Sequence, residues 1–482
     1  MRWFSTKEHL LPPIPAIQAD SSIRPTYADR FRCIGSACED TCCQGWNVPI
    51  DRPAWDKYQG LPEGPLPHLI RASLVRKPEA AAEPGAAKPV FAVIRMNAAN
   101  ECPMLTPDHL CRIQAELGES LLSHACATFP RYVHSLGGME EKSLTLSCPE
   151  AARLVLLTPD LLSEPAQPQS AKESNPPVNG ETSKALPADF WPIRAVVLKL
   201  VQNRLYPLWQ RLFLMDVLCR RLDAIAQGEL KIGVPVFLED FQATVETGAL
   251  RPAMAALPID SGAQLDMVLR LAGLMLHKSN VRPRFAECVK AFTTGIGNGP
   301  GATLESLTAQ YTQAHDRRYR PFFDRHPYIM ENFLINTILR CQFPYGKDAM
   351  RNGSSPSMTR EFALLAAQFA LMRGLLIGVA GFHGKKFSAD HVVHTMQAAS
   401  KHFEHHNEFL NLAYALLVER SMDGARGLAI LLRNVAPGAA AGAAMPASQG
   451  IPVPAHEGGR SVSASAAAPG PVQAGPGTAP PE

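Results

Sequence analysis

The feature that most constrains this chain is the distribution of its cysteines. Eight of the 11 cysteines lie in the first 148 of 482 residues, and four of these fall in the stretch FRCIGSACEDTCCQGW, residues 31–46. Even scattering would leave about three cysteines in that part of the chain. This clustering indicates that the thiols share a chemical role in that region. The eight residues are Cys33, Cys38, Cys42, Cys43, Cys102, Cys111, Cys126 and Cys148.

The redox compartment decides between disulfides and metal chemistry for these thiols. The first 22 residues, MRWFSTKEHLLPPIPAIQADSS, contain no basic segment followed by an apolar run, and prolines interrupt the short LLPPIPAI. This pattern predicts no secretory signal. We therefore expect a cytoplasmic protein, in which stable disulfides are disfavoured and a metal or redox centre is favoured. The net charge of +3 indicates no nucleic-acid partner.

One apolar run is long enough to span a bilayer. It covers residues 362–382, FALLAAQFALMRGLLIGVAGF, and Arg373 stands near its centre. A charge at that depth in lipid is costly, so the run is more typical of a core helix. We expect a buried or half-buried helix of a soluble protein, without membrane insertion.

The composition divides the chain into four parts. Residues 1–162 hold the clustered cysteines, with strand-like runs at residues 90–96 and 143–147. Residues 163–189 are rich in Pro, Ser, Asn and Gly, as in a flexible linker. Residues 190–433 carry helical patterns, and Ala, Pro, Gly and Ser dominate residues 434–482, as in a disordered tail. The predicted fold class is mainly α: a small irregular α+β cysteine-cluster domain, then an all-helical domain and the tail.

Apolar periodicity supports the helical assignment. A stripe with i, i+3, i+4, i+7 spacing begins at Ile193, and a second begins at Leu208 after an interruption at Pro207. Further helices are expected near residues 265–276, 331–341, 360–379 and 389–418. Three cysteines lie on apolar helical stretches of this part, and we expect them to pack as small buried side chains: Cys219, Cys288 and Cys341.

The clustered thiols have the chemistry of a metal centre. Four thiolates complete a tetrahedral zinc site or hold one iron–sulfur cluster. Cys38 and Cys42 would share a face if a helical turn joined them, whereas the adjacent Cys42 and Cys43 point apart in regular structure. Eight candidates allow one site with additional structural thiols, or two sites.

The spacing of the first four thiols leaves zinc and iron–sulfur both open. The run C-x4-C-x3-C-C matches no zinc-finger spacing well. It also differs from the C-x3-C-x2-C pattern of radical S-adenosylmethionine enzymes, because Gly45 stands where the third cysteine would be. We therefore predict no radical chemistry.

Longer segments around these cysteines resemble a known family. FRCIGSACEDTCCQGWNVPIDRPAWDKY, CPMLTPDHLCRIQAELGESLLSHACATFPR and SLTLSCPEAARL are similar to the N-terminal signature of the flagellin lysine-N-methylases. The first two segments also resemble zinc- or iron-chelating cysteine-cluster domains. Beyond the linker, IRAVVLKLVQNRLYPLWQRLFLMDVL and ENFLINTILRCQFPYG are similar to the helical part of the same family. The resemblance extends, with gaps at loops, from residue 26 to residue 419.

The resemblance implies methylation of lysine ε-amines on flagellin, with S-adenosylmethionine as the methyl donor. It implies an iron–sulfur cluster, for which we expect the 4Fe–4S form with zinc as the alternative, and it places all eight clustered cysteines on motif positions. The competing hypothesis is a non-enzymatic metal-chelating or redox module whose helices bind a partner. The sequence leaves the oligomeric state open.

The residues that would perform catalysis carry a weaker signal. Methyl transfer needs a neutral amine, but free lysine has a pKa of about 10.4, so the site must desolvate the amine or supply a base. The segment HPYIMENFLIN offers Glu331, Asn332 and Asn336 on one helix, with Tyr328 beside them, as candidates that bind the donor or the amine. For the asparagines we favour a hydrogen-bonded role in helix packing.

Two other motifs and a set of arginines have simpler interpretations. The segment GIGNGPG at residues 295–301 follows no apolar strand, which favours a loop over a nucleotide cradle. A late group of histidines could bind a metal, but we favour a solvated helix face: His391, His394, His402, His405 and His406. Arginines on the early helices could meet an acidic partner or form surface pairs: Arg194, Arg204 and Arg211.

Overall fold

A computed structural model describes residues 25–77, 90–137, 139–162, 186–276, 281–347, 350, 357–404 and 407–434. All of them belong to one compact unit, Met1–Ile451, and a second unit, Pro452–Glu482, lies outside the described residues. Most of the predicted linker, nearly all of the predicted tail, and His405 and His406 also lie outside them.

The cysteine-bearing part is built from short elements around a three-stranded antiparallel sheet. The strands run in the spatial order β1–β3–β2, with Val48 and Leu74 on either side of Ile94. Asp51 caps α1 because its side chain accepts from the backbone N–H of Ala54. The elements are β1 (Val48–Ile50), α1 (Arg52–Gln59), α2 (Pro65–Ser73), β2 (Leu74–Arg76), β3 (Ala92–Ile94) and α3 (His124–Thr128), with single 3₁₀ or π turns at Tyr27–Arg30, Gly35–Ala37, Ile113–Leu117 and Glu119–Leu121.

A small hydrophobic core holds this part together. Buried side chains of β1, β3, α1 and α2 pack with Met104, Ile113 and the thiol of Cys102. Three more of the clustered cysteines pack against the edge of the same core: Cys43, Cys111 and Cys126. Apolar packing therefore determines where these thiols lie.

A β-hairpin and the helix after it connect this part to the helices. The hairpin pairs β4 (Arg131–Leu136) with β5 (Met139–Leu144), with Tyr132 opposite Ser143, and α4 (Pro149–Leu157) follows. Buried residues of the hairpin and of α4 belong to the same large core as the helices beyond residue 190. The hairpin and α4 thus pack with the helical part, and the domain boundary at residue 162 stays a prediction.

The rest of the described chain is helical. Between α11 and α12 a π-helical turn, His315–Tyr319, adds a residue to the helix, and short 3₁₀ structure at Gly384–Lys386 follows α14. The helices are α5 (Phe190–Gln202), α6 (Leu208–Ala226), α7 (Val234–Thr247), α8 (Arg251–Ala255), α9 (Ser261–Leu276), α10 (Pro283–Gly295), α11 (Leu304–Ala314), α12 (Arg320–Phe323), α13 (Tyr328–Arg340), α14 (Met358–His383), α15 (Ala389–Phe403), α16 (Asn407–Glu419) and α17 (Ala425–Leu432).

The apolar run with a central arginine forms α14, which passes through the middle of this bundle. It is the one helix of the described residues that is long and apolar enough to cross a membrane, and its most apolar window is entirely buried inside the protein. Arg373 donates to the carbonyl oxygens of Leu431 and Leu432 at the end of α17, so its charge serves helix packing. The prediction of a buried helix is confirmed.

Glycines allow α14 to approach α10 closely. A Cβ atom added at Gly295 would lie 1.8 Å from the carbonyl oxygen of Gly378, and one added at Gly378 would lie 2.4 Å from the ring of Phe292. Such distances are far inside van der Waals contact, so neither position has room for a side chain. The glycine-rich segment begins at Gly295, the last residue of α10, which packs against α14, and the rest of the segment forms a loop, as predicted.

The fold class is mainly α with a few short strands, as the sequence predicted. The first strand-like run is a strand only at Ala92–Ile94, and the second belongs to β5, which begins earlier and ends at Leu144. Helix α7 has no counterpart among the predicted helices, because Gly233 and Pro235 at its start resemble loop signals.

Candidate functional site

Two loops and helix α3 bring five of the clustered thiols close enough to interact electrostatically. The backbone N–H of Cys102 donates to the carbonyl of Cys43 at 2.8 Å, and Gln44 forms an isolated bridge with Glu101. Further along, Leu105 bridges to Cys111. Helix α3 carries the next thiol, and Ser123 caps that helix through the N–H of Cys126. We call these five residues the inner thiol group: Cys42, Cys43, Cys102, Cys111 and Cys126.

Burial and mutual repulsion keep most of the inner thiols protonated. The pKa of Cys102 is raised to about 11 and that of Cys126 to about 12, first by burial and then by the charges of neighbouring inner thiols. The pKa of Cys43 lies well above its usual value, first because its hydrogen bond supports the anion of Cys42 and then because it is buried. A bound metal cation would instead lower the pKa values of the thiols that bind it, because it stabilises thiolates directly.

Cys42 is the thiol of this group that ionises most readily. A hydrogen bond from Cys43, with 3.9 Å between the two sulfur atoms, lowers the pKa of Cys42 to about 7. Burial opposes this effect, and the ammonium of Lys401 supports it. Cys42 also interacts with Cys148.

The other three clustered cysteines, Cys33, Cys38 and Cys148, interact with one another and with Cys42. Cys148 precedes α4, and burial raises its pKa to about 12, with smaller contributions from Cys38 and Cys42. Cys38 has a pKa of about 11, again raised first by burial, and interacts with the exposed Cys33. The chain from Cys38 to Cys42 forms bends and a turn, so these two thiols do not share the face of a helix.

The donor set fits a thiolate-bound centre by its chemistry and grouping. Soft sulfur ligands suit zinc and iron–sulfur clusters. Within the residues that the structure describes, no three His, Cys, Asp or Glu side chains are arranged to hold a metal ion. Ligands of one zinc ion must converge at about 2.3 Å from a point. The thiolates of an iron–sulfur cluster bind different iron atoms, and the choice between zinc and a cluster stays a prediction. Which cysteines are ligands stays a prediction.

The three cysteines expected in the core are mostly buried. Cys219 and Cys288 lie inside α6 and α10, and burial raises the pKa of both. Cys341 is only half-buried, because it ends α13 as the residue after its last turn.

A cavity adjoins the inner thiol group. Its volume is about 230 Å³, and it lies between the loop of residues 40–45, residues 99–100, the start of α10 and one side of α15. We call it the basic cavity, because its ionisable lining consists of Arg282, Arg284 and Lys401 with a single carboxylate, Asp40.

Lys401 and Asp40 form a buried ion pair in the lining of the basic cavity. The ammonium donates to both oxygens of Asp40 at 2.8 Å and to the carbonyl of Thr41 at 2.7 Å. Burial works to raise the pKa of Asp40, but Lys401 and a hydrogen bond from Gln397 outweigh it, so the pKa is lowered. Asp40 therefore stays ionised, and the loop that carries Cys42 is fastened to α15.

Arg282 fastens the same loop to the start of α10. Its guanidinium donates to the carbonyls of Gln44 and Gly45 at 3.0 and 2.8 Å. Gly45 has φ +79°, and a Cβ there would lie 2.3 Å from a guanidinium nitrogen. Only glycine suits both the left-handed backbone and this close approach.

The candidates on α13 lie in buried contacts between elements. Asn336 accepts from the hydroxyl of Tyr27 and bonds both backbone groups of Leu144. Asn332 donates to the carbonyls of Val155 and Thr158. Both side-chain amides are therefore hydrogen-bonded in the packing between elements, which is the role that we favoured for them.

Glu331 and Tyr328 are buried in the same region. Glu331 accepts from Arg204 and Arg211, while Arg194 pairs with Glu141. The early arginines thus form buried and half-buried pairs rather than surface pairs. Tyr328 is fully buried in the large core. A catalytic role for these residues stays an untested prediction.

The late histidines differ from one another. His402 is buried, bonds the carbonyl of Met275 at 2.8 Å and stacks on Phe285, so the expectation of a solvated face is wrong for it. His391 is half-buried and caps the start of α15 with Ser388. His394 is half-buried too, within 4.0 Å of Glu287.

Sequence reasoning missed the lining of the basic cavity. Lys401 and Asp40 are 361 residues apart, and Arg282 contacts a loop 238 residues away. No local pattern marks such pairs. The only local hint of this cavity in the sequence was Gly45, which follows the thiol run closely and allows Arg282 to approach the backbone.

Comparison with known proteins supplies a family. The model of the FliB lysine N-methylase C-terminal domain matches residues 194–431. A lysine-N-methylase of Salmonella typhimurium strain LT2 is 23% identical over 397 residues, which cover 80% of this chain and 92% of that protein. A lysine-N-methylase of Salmonella choleraesuis strain SC-B67 matches to the same extent.

A third relative matches a shorter part of the chain more closely. The flagellar biosynthetic protein FliU of Salmonella muenchen is 33% identical over 138 residues, which cover 29% of this chain and 78% of that protein. No solved structure matches the chain.

Proposed function

Because the chain belongs to the FliB lysine N-methylase family and is therefore a lysine N-methyltransferase, we propose that its substrate is flagellin and its methyl donor S-adenosylmethionine. The relatives' names connect lysine methylation with the flagellum, which supports a flagellar protein as substrate. The similarity over 80% of the chain is the observation that carries the proposal, and it favours the enzyme over a non-enzymatic scaffold.

The proposed reaction is an in-line displacement. The lone pair of a neutral lysine Nε forms a bond to the donor's methyl carbon, and the carbon–sulfur bond breaks with its electron pair moving to sulfur. The products are a methylated lysine and S-adenosylhomocysteine, and the amine's proton leaves to a base or to water. The protein must align nitrogen, carbon and sulfur and keep the amine neutral.

We propose further that the clustered cysteines hold an iron–sulfur cluster. Its expected ligands come from the inner thiol group together with Cys33, Cys38 and Cys148. When bound, a cluster supplies a cationic centre that stabilises thiolates and cross-links the loops that carry them. The chain's own residues then orient the loop of residues 40–45 against α10 and α15, through Arg282 and the Asp40–Lys401 pair.

The protein is proposed to act in the cytoplasm, where unexported flagellin is available. The helix that could cross a membrane by composition is packed in the core, which supports this placement.

Labelled methyl transfer tests the substrate and the donor together. Anaerobically purified protein is incubated with S-adenosylmethionine carrying a labelled methyl group and with unmethylated flagellin, and peptides are mapped by mass spectrometry. We expect label on lysine ε-amines, and none when the flagellin lysines are acetylated beforehand. A metal-loaded sample that neither labels flagellin nor binds the donor would refute the proposal.

Metal analysis tests the cluster separately. We expect iron and acid-labile sulfide in the purified chain, and we expect Cys38→Ser, Cys42→Ser or Cys102→Ser to lower both, together with soluble yield. Cys288→Ser is the matched control, since that thiol is buried in α10 and its interacting neighbours are Thr395, Arg284 and Glu287 rather than other cysteines. Equal metal content in all four variants would overturn the assignment.

A further inference from the structure

We infer that the basic cavity binds the carboxylate end of the methyl donor, an inference that rests on the proposed function. The cavity lies next to the inner thiol group and contains charges that the packing of the loops does not neutralise. Its ligand class follows from charge, from size and from its position in the fold.

The first observation is the charge of the lining. Of the four ionisable residues, three are cationic and one is a carboxylate, so the lining carries a net charge of +2. Asp40 is already shared by Lys401 and, at 3.9 Å, by Arg284. A lysine ammonium from a protein substrate would be repelled here, whereas an anionic group would be attracted.

The second observation is the supply of hydrogen-bond donors. A guanidinium has five N–H donors. Arg284 donates to the side-chain oxygen of Gln397 at 3.3 Å and to the carbonyl of Glu39 at 3.2 Å. These two acceptors are neutral, and Asp40, 3.9 Å away, already pairs closely with Lys401, so the charge of Arg284 is only partly compensated. N–H groups of Arg284 remain for a planar carboxylate, which such a fork binds well.

The third observation is the helix that begins at the cavity. Helix α10 spans Pro283–Gly295, and its first three residues line the cavity. The amino-terminal end of a helix carries a partial positive charge that favours anions. It adds to the charges of Arg282 and Arg284, which lie at the same helix end.

Size selects one end of the donor. Pockets that enclose whole drug-sized ligands measure about 300–1,000 Å³. At about 230 Å³, the cavity suits an amino-acid moiety and is small for the complete donor. The carboxylate is the anionic group of S-adenosylmethionine, so charge and size select the same end.

The walls of the cavity connect it to the thiols. Gly45 lies two residues after Cys43, and its N–H donates to the carbonyl of Asn100 at 2.8 Å. Asn100, which has a positive φ of 60°, lies two residues before Cys102. The donor's amino-acid end would therefore lie beside the loops that a cluster would fix.

Equilibrium dialysis with two ligands tests the inference. Labelled S-adenosylmethionine and its decarboxylated analogue are compared on wild-type protein. We expect the donor to bind about tenfold more tightly, since charge-assisted hydrogen bonds are worth that factor or more. Equal affinities for the two ligands would overturn the inference, even if methyl transfer to flagellin is intact.

Variants of one arginine locate the carboxylate. Arg284→Gln should weaken donor binding about tenfold and leave the analogue unchanged, and Arg284→Lys should restore part of the loss. Arg270→Gln removes a cation from an exposed pair on α9 and serves as the matched control, with no change expected.

The remaining outcomes separate this inference from the proposed function. If Arg284→Gln raises the KM for flagellin but leaves the donor's Kd unchanged, the cavity takes an acidic side chain of the protein substrate, and the inference is wrong. If metal-loaded wild-type protein binds no donor and methylates nothing, the proposed function itself has failed.

Discussion

Replacing Glu331 by glutamine separates structure from catalysis on α13. Glu331 is 3% exposed and accepts from Arg211 at 2.7 Å and from Arg204 at 2.9 Å. Glutamine has nearly the same shape but no charge. The substitution therefore removes the counter-charge of two arginines while it preserves the volume of the side chain.

The cost comes mainly from Arg211. Its guanidinium is 5% exposed and keeps hydrogen bonds to the carbonyls of Tyr206 and Val201, but it would lose its carboxylate. Arg204 is about one-third exposed and lies 3.8 Å from Asp160, so water and that carboxylate can compensate it. Removing one partner of a buried pair costs about 3–5 kcal/mol, and because glutamine retains an acceptor oxygen we expect about 3 kcal/mol.

Urea unfolding followed by circular dichroism measures this effect. A loss of about 3 kcal/mol is a large fraction of the 5–15 kcal/mol typical of folded proteins. Asp266→Asn, in the exposed pair with Arg270, is the control, and it should cost about 0.5 kcal/mol or less. Methyl transfer per folded molecule should remain near the wild-type value. Unchanged stability together with lost transfer would refute the structural reading and assign Glu331 a chemical role.

Three further perturbations test other parts of the fold. Gly295→Ala should lower stability by several kcal/mol in thermal unfolding, since its Cβ would overlap the carbonyl of Gly378, whereas Gly273→Ala meets nothing within 4 Å and should be neutral or slightly stabilising. Burial and then the nearby Lys347 lower the pKa of His134 to about 4, so between pH 6.5 and 4 the unfolded chain binds a proton that the folded chain does not. Stability should therefore fall as the pH drops through this range, and His134→Gln should remove up to about 3 kcal/mol of that loss. A pH profile of stability identical in the variant would contradict the assignment. Arg373→Met should speed hydrogen exchange in α17, whose last two carbonyls it binds, and unchanged protection there would show that the contact is dispensable.

The sequence determined the features that depend on neighbouring residues. Periodic apolar positions predicted α5, α6, α9, α13 and α14, because a helix repeats over a few residues. The uneven cysteines marked the candidate metal region, and the longer motifs around them identified the family. The buried nature of α14 also followed from one residue, Arg373, whose charge made a lipid-exposed helix costly.

The tertiary structure alone decided which distant groups meet. Lys401 is an ordinary helical lysine in the sequence, and only folding places it against Asp40, 361 residues earlier. Likewise, Glu331 meets its partners only in the fold: Arg204 comes from the turn after α5 and Arg211 from α6. Local patterns encode which residues form helices and turns, but a buried charge is positioned by partners from other elements. The basic cavity exists because four separate parts of the chain converge there.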